Sequence, residues 1–338
     1  MKVALDATPL SVPTGGIARY TVELASALQQ EFPEDSFSLL LQHGSNALMR
    51  RWWSIGLPVH LYRRGFDLFH GTDFAVPYLP LKPSVITVHD LSPFLPGRPA
   101  GVSARVSRRT PFLVGLGLAT IVVTPTEVIR RQAIEHFGLH PSRTVAVPLA
   151  AGSHFRRMER SEAAAPYFLF VGTLEPRKNL GVAMEAWRQV KRLHDVDLVL
   201  AGRMREDFEP PRPEPGLRLA GMVSEDELPA LYSGATAVVF PSSYEGFGLP
   251  LLEAMQCGAP VIASKDAALM EVSGGAALHV AANDRKAWAE AMRTVLESTP
   301  LRKELSEKGL HRAAMFGWDK TARRMRAVYQ EAIDRFAS

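Results

Sequence analysis

Residues Tyr244 to Pro260 read Y-E-G-F-G-L-P-L-L-E-A-M-Q-C-G-A-P, and the reading of the whole chain turns on how this stretch divides. Proline loses nothing in a first helical turn, where its N–H would be unpaired anyway, so a helix is expected to begin at Leu249 or Pro250. Gly246, Phe247 and Gly248 are then a loop, entered from the apolar strand Ala235 to Pro241. A glycine-rich loop feeding a helix N-terminus presents N–H groups and about half a positive charge, which suits a phosphate. Glu245 sits on this loop, and Glu253 lies about one turn into the helix. Two carboxylates so placed can each accept from a different pair of sugar hydroxyls while the loop amides hold a phosphate. The blander account is a strand-loop-helix joint with two solvated glutamates. The glycines, the proline and the buried strand argue against it.

Working outward, short apolar runs alternate with helical patterns, the mark of a parallel sheet covered on both faces. Strands are predicted at 2–6, 36–41, 66–69, 85–88, 120–123 and 145–147, with helices over 16–30 and 126–137. Residues 156–165 are polar and read as a linker. A second alternation follows, with strands at 167–172, 196–201, 217–220, 236–240 and 261–263. Its helices are expected over 179–192, 226–233 and 285–298, and the last over 319–336. Ser224 and Glu227 read as a capping box for the helix at 226–233. At 338 residues, two domains can each bury a core.

The loop Gly172-Thr173-Leu174-Glu175-Pro176-Arg177-Lys178-Asn179 leaves a strand and enters a helix with two adjacent cations. Arginine supplies a fork of donors and lysine a point charge, so the pair can face a diphosphate beside the first loop. Near the start, Gly15 and Gly16 form a flexible turn at the carboxyl end of the first strand. A dinucleotide fold would want G-x-G-x-x-G there and an acidic residue closing the second strand; neither is present. His89, followed by Asp90, ends another strand at the edge where α/β sheets place ligands.

Hydrophobic residues make up 46% of the chain, charged ones 22%, and the net charge is +4. So mild an excess suggests anionic small ligands or a membrane surface more than a nucleic-acid partner, and no nucleic acid is expected. Arg50-Arg51-Trp52-Trp53 and the cluster Arg105, Arg108 and Arg109 could meet anionic lipid, or be a solvated helix face beside partly buried tryptophans. Asp195-Val196-Asp197 has the D-x-D spelling of metal-dependent transferases. It opens a strand at the end away from the ligand edge, so it reads as solvated. No His or Cys cluster has zinc spacing, and no metal is expected. The single Cys257 fits a reducing compartment. No secretory signal or bilayer-spanning run is expected, which points to the cytoplasm and leaves open peripheral contact with the inner face of the membrane.

The run from Glu245 to Glu253 resembles the E-x7-E signature of retaining glycosyltransferase family 4, the glycosyl transferases group 1. The V-G-x-L-x-P-R-K-N spelling is close to the same family's pattern, and the likeness extends over most of the chain. It implies the α/β GT-B fold, two Rossmann-like domains facing each other across a cleft. Residues 1–152 would form the acceptor-side domain, joined by a C-terminal helix, 319–338, that crosses back. Residues 153–318 would bind the nucleotide-sugar donor. By this resemblance Glu245 contacts donor-sugar hydroxyls, and Gly246, Phe247, Gly248 and Leu249 meet sugar and diphosphate. Glu253 binds the ribose, while Arg177 and Lys178 hold the diphosphate and stabilise the departing nucleotide. Gly15 and Gly16 line the cleft, Gly172 belongs with the donor-binding residues, Val223 meets the base, and His89 positions the donor sugar.

The implied activity is retaining, metal-independent transfer of a hexose of mannose or glucose type. The donor is a GDP- or UDP-sugar, with no further cofactor, and the acceptor a hydroxyl of a glycan or lipid-linked molecule. A nucleotide-sugar epimerase shares the architecture. A non-catalytic nucleotide-sugar binding protein would be expected to have lost Glu245, Arg177 or Lys178, and all three are present.

Overall fold

The computed structural model describes residues 1–11, 15–41, 51–95, 102–159, 165–206 and 208–338, without the side chains of residues 102–105 and 107. Arg50 and the side chain of Arg105 therefore lie outside the described residues. The chain divides into two compact units, Met1–Leu149 with Gly317–Ser338, and Ala150–Phe316. The join lies a few residues before the expected borders because Leu149, Ala150 and Ala151 are all buried, so no polar stretch marks it. Of residues 156–165, read as the linker, 156–159 and 165 fall inside the second unit, and 160–164 lie outside the described residues.

In the first unit six parallel strands lie in the order β2-β1-β3-β4-β5-β6. They are β1 (Lys2–Asp6), β2 (Ser36–Leu40), β3 (Leu68–Gly71), β4 (Ser84–Thr87), β5 (Ile121–Thr124) and β6 (Thr144–Ala146). Helices α1 (Gly16–Glu31), α2 (Leu57–Arg63), α3 (Val102–Gly115) and α4 (Glu127–Phe137) connect them. Parallel strands need both faces covered, and Val3 to Leu5 and Ile121 to Val123 are accordingly buried throughout.

Strand β3 runs two residues further than the apolar pattern indicated, to Gly71. His70 is the reason: it is fully buried, with Nδ1 2.7 Å from Tyr329 Oη and Nε2 2.7 Å from Thr87 Oγ1. Burial pushes its pKa down to about 3, so the ring is neutral and can pass for a core residue. Tyr329 comes from the C-terminal helix, Trp318–Ala337, which packs on α1.

Trp52 and Trp53 correct the lipid-facing reading of their cluster. A π-helical turn over Trp52–Gly56 places them against Ala4, Leu57, Leu61 and Phe69, and Arg109 lies 5.5 Å from the Trp53 ring. Trp52 belongs to the core, and Trp53 is partly buried against it.

The second unit also has six parallel strands, in the order β12-β11-β10-β7-β8-β9. These are β7 (Tyr167–Val171), β8 (Asp197–Ala201), β9 (Leu217–Gly221), β10 (Ala237–Phe240), β11 (Val261–Ser264) and β12 (Leu278–Val280). The helices are α5 (Leu180–Lys191), α6 (Leu228–Gly234), α7 (Leu249–Gln256), α8 (Ala267–Ser273), α9 (Arg285–Glu297) and α10 (Thr299–Ala313). Trp187 and Trp288 anchor its core, each with its indole N–H satisfied by a backbone carbonyl.

Helix α6 starts at Leu228 rather than at Asp226. The Ser224 hydroxyl donates to the Glu227 carboxylate at 2.5 Å, which closes a separate turn, and Pro229 then opens the helix. Asp195 and Asp197 stand at the amino end of β8, where Lys191 Nζ is 2.7 Å from Asp195 and Arg218 Nε 3.3 Å from Asp197. They are occupied as ion-pair partners.

Strand order in this sheet reverses between β7 and β10. Open α/β sheets bind ligands at such a switch point, outside the carboxyl ends of the strands. The two segments that leave those ends are the cation loop after β7 and the loop that carries Glu245 after β10.

Candidate active site

The loop after β7 turns through a single 3-10 helix, Pro176–Lys178, closed by Asn179 at φ 54°. Asparagine tolerates this left-handed conformation better than most residues. Its side-chain amide donates to Ala282 O at 2.8 Å and Pro241 O at 3.3 Å, and so ties three segments of the carboxyl edge together. The loop after β10 is tied to the same turn, because Ser243 donates its backbone N–H to Arg177 O at 3.0 Å. The cations and Glu245, far apart in sequence, thus share one backbone scaffold.

On that scaffold Lys178 Nζ lies 2.5 Å from Glu245 Oε1 and Arg177 Nη1 3.0 Å from Glu245 Oε2. Arg177 also reaches Glu175, with Nη2 2.7 Å from Oε1, and Arg205, from the loop after β8, pairs with the other oxygen of Glu175. Five charges therefore alternate in sign: Arg205, Glu175, Arg177, Glu245, Lys178. Glu245 is 6% exposed. Burial alone would raise its pKa, but the attraction of Lys178 and Arg177, with hydrogen bonds from Lys178 and Ser242, outweighs that and holds it at about 2. It is a carboxylate at any physiological pH.

Helix α7 begins after Gly248, which has φ 85°, and a Cβ there would meet Leu269 Cδ2 at 2.5 Å. Glycine is required on both counts. No side chain caps this N-terminus, so the positive end of the helix is directed at the loop. Phe247 is buried with its ring against Phe316 at 5.9 Å, so only its backbone can serve a ligand. Glu253, 1% exposed, accepts from Tyr232 Oη at 2.9 Å. The Cys257 thiol is pushed up to about 12 by burial and by the charge of Glu253, so it is protonated and inert.

Gly172, Arg177, Lys178, Glu245 and the segment Gly246 to Leu249 are thus brought to one carboxyl edge. Val223 follows β9 at the same edge, where Gly202 N donates to Gly221 O at 2.6 Å. Gly15, Gly16 and His89 belong to the other unit. There His89 Nε2 is 2.7 Å from Thr72 O; a carbonyl only accepts, so Nε2 carries a proton. The ring stands edge-on to Tyr20 of α1 at 5.0 Å, the helix that Gly16 opens.

Glu175, Arg205 and Asp266 received no role from the sequence. Glu175 had a signal, an acid two residues before Arg177. Asp266 caps α8 through Oδ1, with Ala268 N at 3.0 Å, while Oδ2 accepts from Glu245 N at 3.3 Å; burial, with the Glu245 charge, raises its pKa. Nothing local connects it to Glu245. Among the described residues no group of three or more His, Cys, Asp or Glu side chains could hold a metal ion.

Residues 154–312 match the family model described as glycosyl transferases group 1. The chain is 29% identical to the O-antigen chain mannosyltransferase B of Escherichia coli, over 94% of this chain and 97% of that protein. It is 31% identical to the D-inositol 3-phosphate glycosyltransferase of Kineococcus radiotolerans, but over 63% of this chain and 57% of that one. Sucrose-phosphate synthase from Thermosynechococcus elongatus superposes with a TM-score of 0.74 at 18% identity, over 98% of each chain. Anabaena Alr3699/HepE in complex with UDP and glucose does so with a TM-score of 0.74 at 15% identity, over 98% of this chain and 100% of that one. At such identities the two structures show a shared fold, and with the family match and the full-length relative the conclusion follows: residues 154–312 form a domain of the glycosyl transferases group 1, and the chain is a glycosyltransferase of the family 4 type built on the GT-B fold of two Rossmann-like domains.

Proposed function

We propose that the protein transfers a hexose, of mannose or glucose type, from a nucleoside diphosphate sugar to a hydroxyl of a glycan or lipid-linked acceptor, with retention and without a metal ion. The observation that carries this is the convergence of Arg177, Lys178, Glu245 and the α7 N-terminus on the switch point of the second sheet. The donor is assigned to this second unit, with Glu253 at the ribose and Val223 at the base. The acceptor is assigned to the first, beside Gly15, Gly16 and His89. As the bond from the anomeric carbon to the β-phosphate oxygen breaks, negative charge grows on the leaving diphosphate. Cations and amide dipoles already in place stabilise it without reorganising. Glu245 orients the sugar and faces the cationic anomeric centre. The full-length mannosyltransferase relative favours a mannosyl donor.

A thermal-shift panel tests the reading. A donor present at 100 times its Kd is expected to stabilise the protein by about 2.7 kcal/mol, so GDP-mannose or UDP-glucose should raise the melting temperature. If no sugar nucleotide does, the proposal fails. Turnover in EDTA, with the product's anomeric configuration read by NMR, tests metal independence and retention. Donor consumed without acceptor would indicate an epimerase.

No helix among the described residues is long and apolar enough to cross a membrane. We assign peripheral contact to the amino ends of the neighbouring strands β3, β4 and β5. There Tyr62, Leu79, Leu81 and Leu116 are exposed beside exposed Arg63 and Arg64, a combination that fits an anionic lipid surface. Sedimentation with phosphatidylglycerol vesicles, lost in phosphatidylcholine and in Leu79→Ser, is the expected result. Equal recovery on both lipids would remove the assignment.

A further inference from the structure

Arg177 and Lys178 are neighbours in sequence but are used differently. Among the described residues Arg177 makes at least four hydrogen bonds to protein acceptors. Nε lies 3.1 Å and Nη2 2.7 Å from Glu175 Oε1, and Nη1 lies 2.6 Å from Tyr244 O and 3.0 Å from Glu245 Oε2. A guanidinium has five N–H groups, so nearly all of its donor capacity is spent inside the protein. Among the described residues Lys178 makes one such bond, to Glu245 Oε1 at 2.5 Å, and its ammonium lies 5.5 Å from the Phe240 ring. An ammonium has three N–H groups.

Glu175 explains the difference. It is buried and receives Arg177 on one oxygen and Arg205 on the other. It sits directly before the turn, where Lys178 N donates to its backbone carbonyl at 3.0 Å. A planar fork held on one side by a buried carboxylate can present its remaining edge in only one direction. That edge meets Tyr244 O and Glu245, which fixes both the course of the loop and the orientation of the carboxylate.

We propose that Glu175 is a positioning residue which clamps Arg177 onto Glu245, so that Arg177 acts on the sugar through Glu245 and Lys178 alone of the pair contacts the diphosphate. This rests on the functional reading above and divides the labour within it. Nucleotide affinity and sugar transfer then depend on different members of one charge chain. A purely structural role for Glu175 would instead affect both together.

The experiment separates these with GDP and UDP, which lack the sugar, and with the complete nucleotide sugar. Lys178→Ala is expected to weaken binding of the nucleoside diphosphate about tenfold or more by calorimetry. Glu175→Gln and Arg177→Gln are expected to leave that affinity within about threefold while lowering kcat with the nucleotide sugar about tenfold or more. Because they act as one unit, the double variant should be no slower than the worse single one. Arg177→Lys, which keeps the charge but not the fork, serves if Arg177→Gln does not fold, and should show the same kcat loss. Loss of nucleoside diphosphate affinity in Arg177→Gln or Arg177→Lys as large as in Lys178→Ala overturns the proposal, as does full kcat in Glu175→Gln. Wild-type protein that binds neither GDP nor UDP overturns the underlying function as well, and so marks that failure apart from the first two.

Discussion

Lys178→Ala lowers turnover by about 10²–10³-fold, the usual loss when one preorganised donor to a developing anion is removed, and it leaves the protein folded. The two halves of this expectation have separate causes. Lys178 sits at the end of the charge chain, so its removal takes the largest attraction from Glu245 but leaves that carboxylate bonded to Arg177. What is lost is a cation beside the α7 N-terminus, where negative charge grows as the nucleotide departs. Initial rates with saturating donor check it, since a pure binding defect would be rescued by concentration and a transition-state defect would not. Full activity in Lys178→Ala would remove the cationic leaving-group site from the mechanism.

Glu245→Ala acts in the opposite way, on the fold as much as on the chemistry. Taking one partner out of a buried ion pair leaves uncompensated charge and costs about 3 kcal/mol; here Arg177 keeps Glu175 but Lys178 loses its carboxylate. Urea unfolding should show the loss at pH 7, and acid should erase it. The Glu245 carboxyl lies at about 2 in the folded protein, below its ordinary value of 4.5, because its two cations and its hydrogen bonds outweigh burial. A lowered folded pKa stabilises the protein above the unfolded value, and that contribution is lost as pH falls through the folded one. The stability gap between wild type and variant is therefore expected to be constant above about pH 5 and to close between pH 4.5 and 2. A gap that persists at pH 2, or none at pH 7, would mean that the cations do not hold this carboxylate.

Where the chain's local pattern was strong, the elements could be read directly. The strand Ala237–Phe240, the glycine at position 248 and the proline at 250 specify a strand, a left-handed residue and a helix start in succession, each by its own covalent geometry. Where the signal was shared with a distant partner, the reading slipped. His70 sits in β3, yet as a polar residue it looked like the strand's end, because the hydroxyls that satisfy it come from Thr87 and Tyr329. Trp52 and Trp53 beside two arginines looked like a surface cluster, because nothing local announces the π-helical turn that swings Trp52 into the core and Trp53 against it. Asp266 drew no reading at all, because the backbone N–H of Glu245 that it accepts from comes from a distant loop.

By itself the sequence determined the alternation of strand and helix in two halves, the glycine-rich loop before an N-terminus, and the presence of two carboxylates and two adjacent cations. All of these depend on neighbours within a turn or a strand, where the chain's own stereochemistry decides. Only the tertiary structure decided that Arg177 faces inward to Glu175 and Glu245 while Lys178 has donors to spare. The strand crossovers determine which loops lie side by side at the switch between β7 and β10. A buried charge then takes whichever opposite charge that adjacency supplies, and no spacing along the chain encodes the choice.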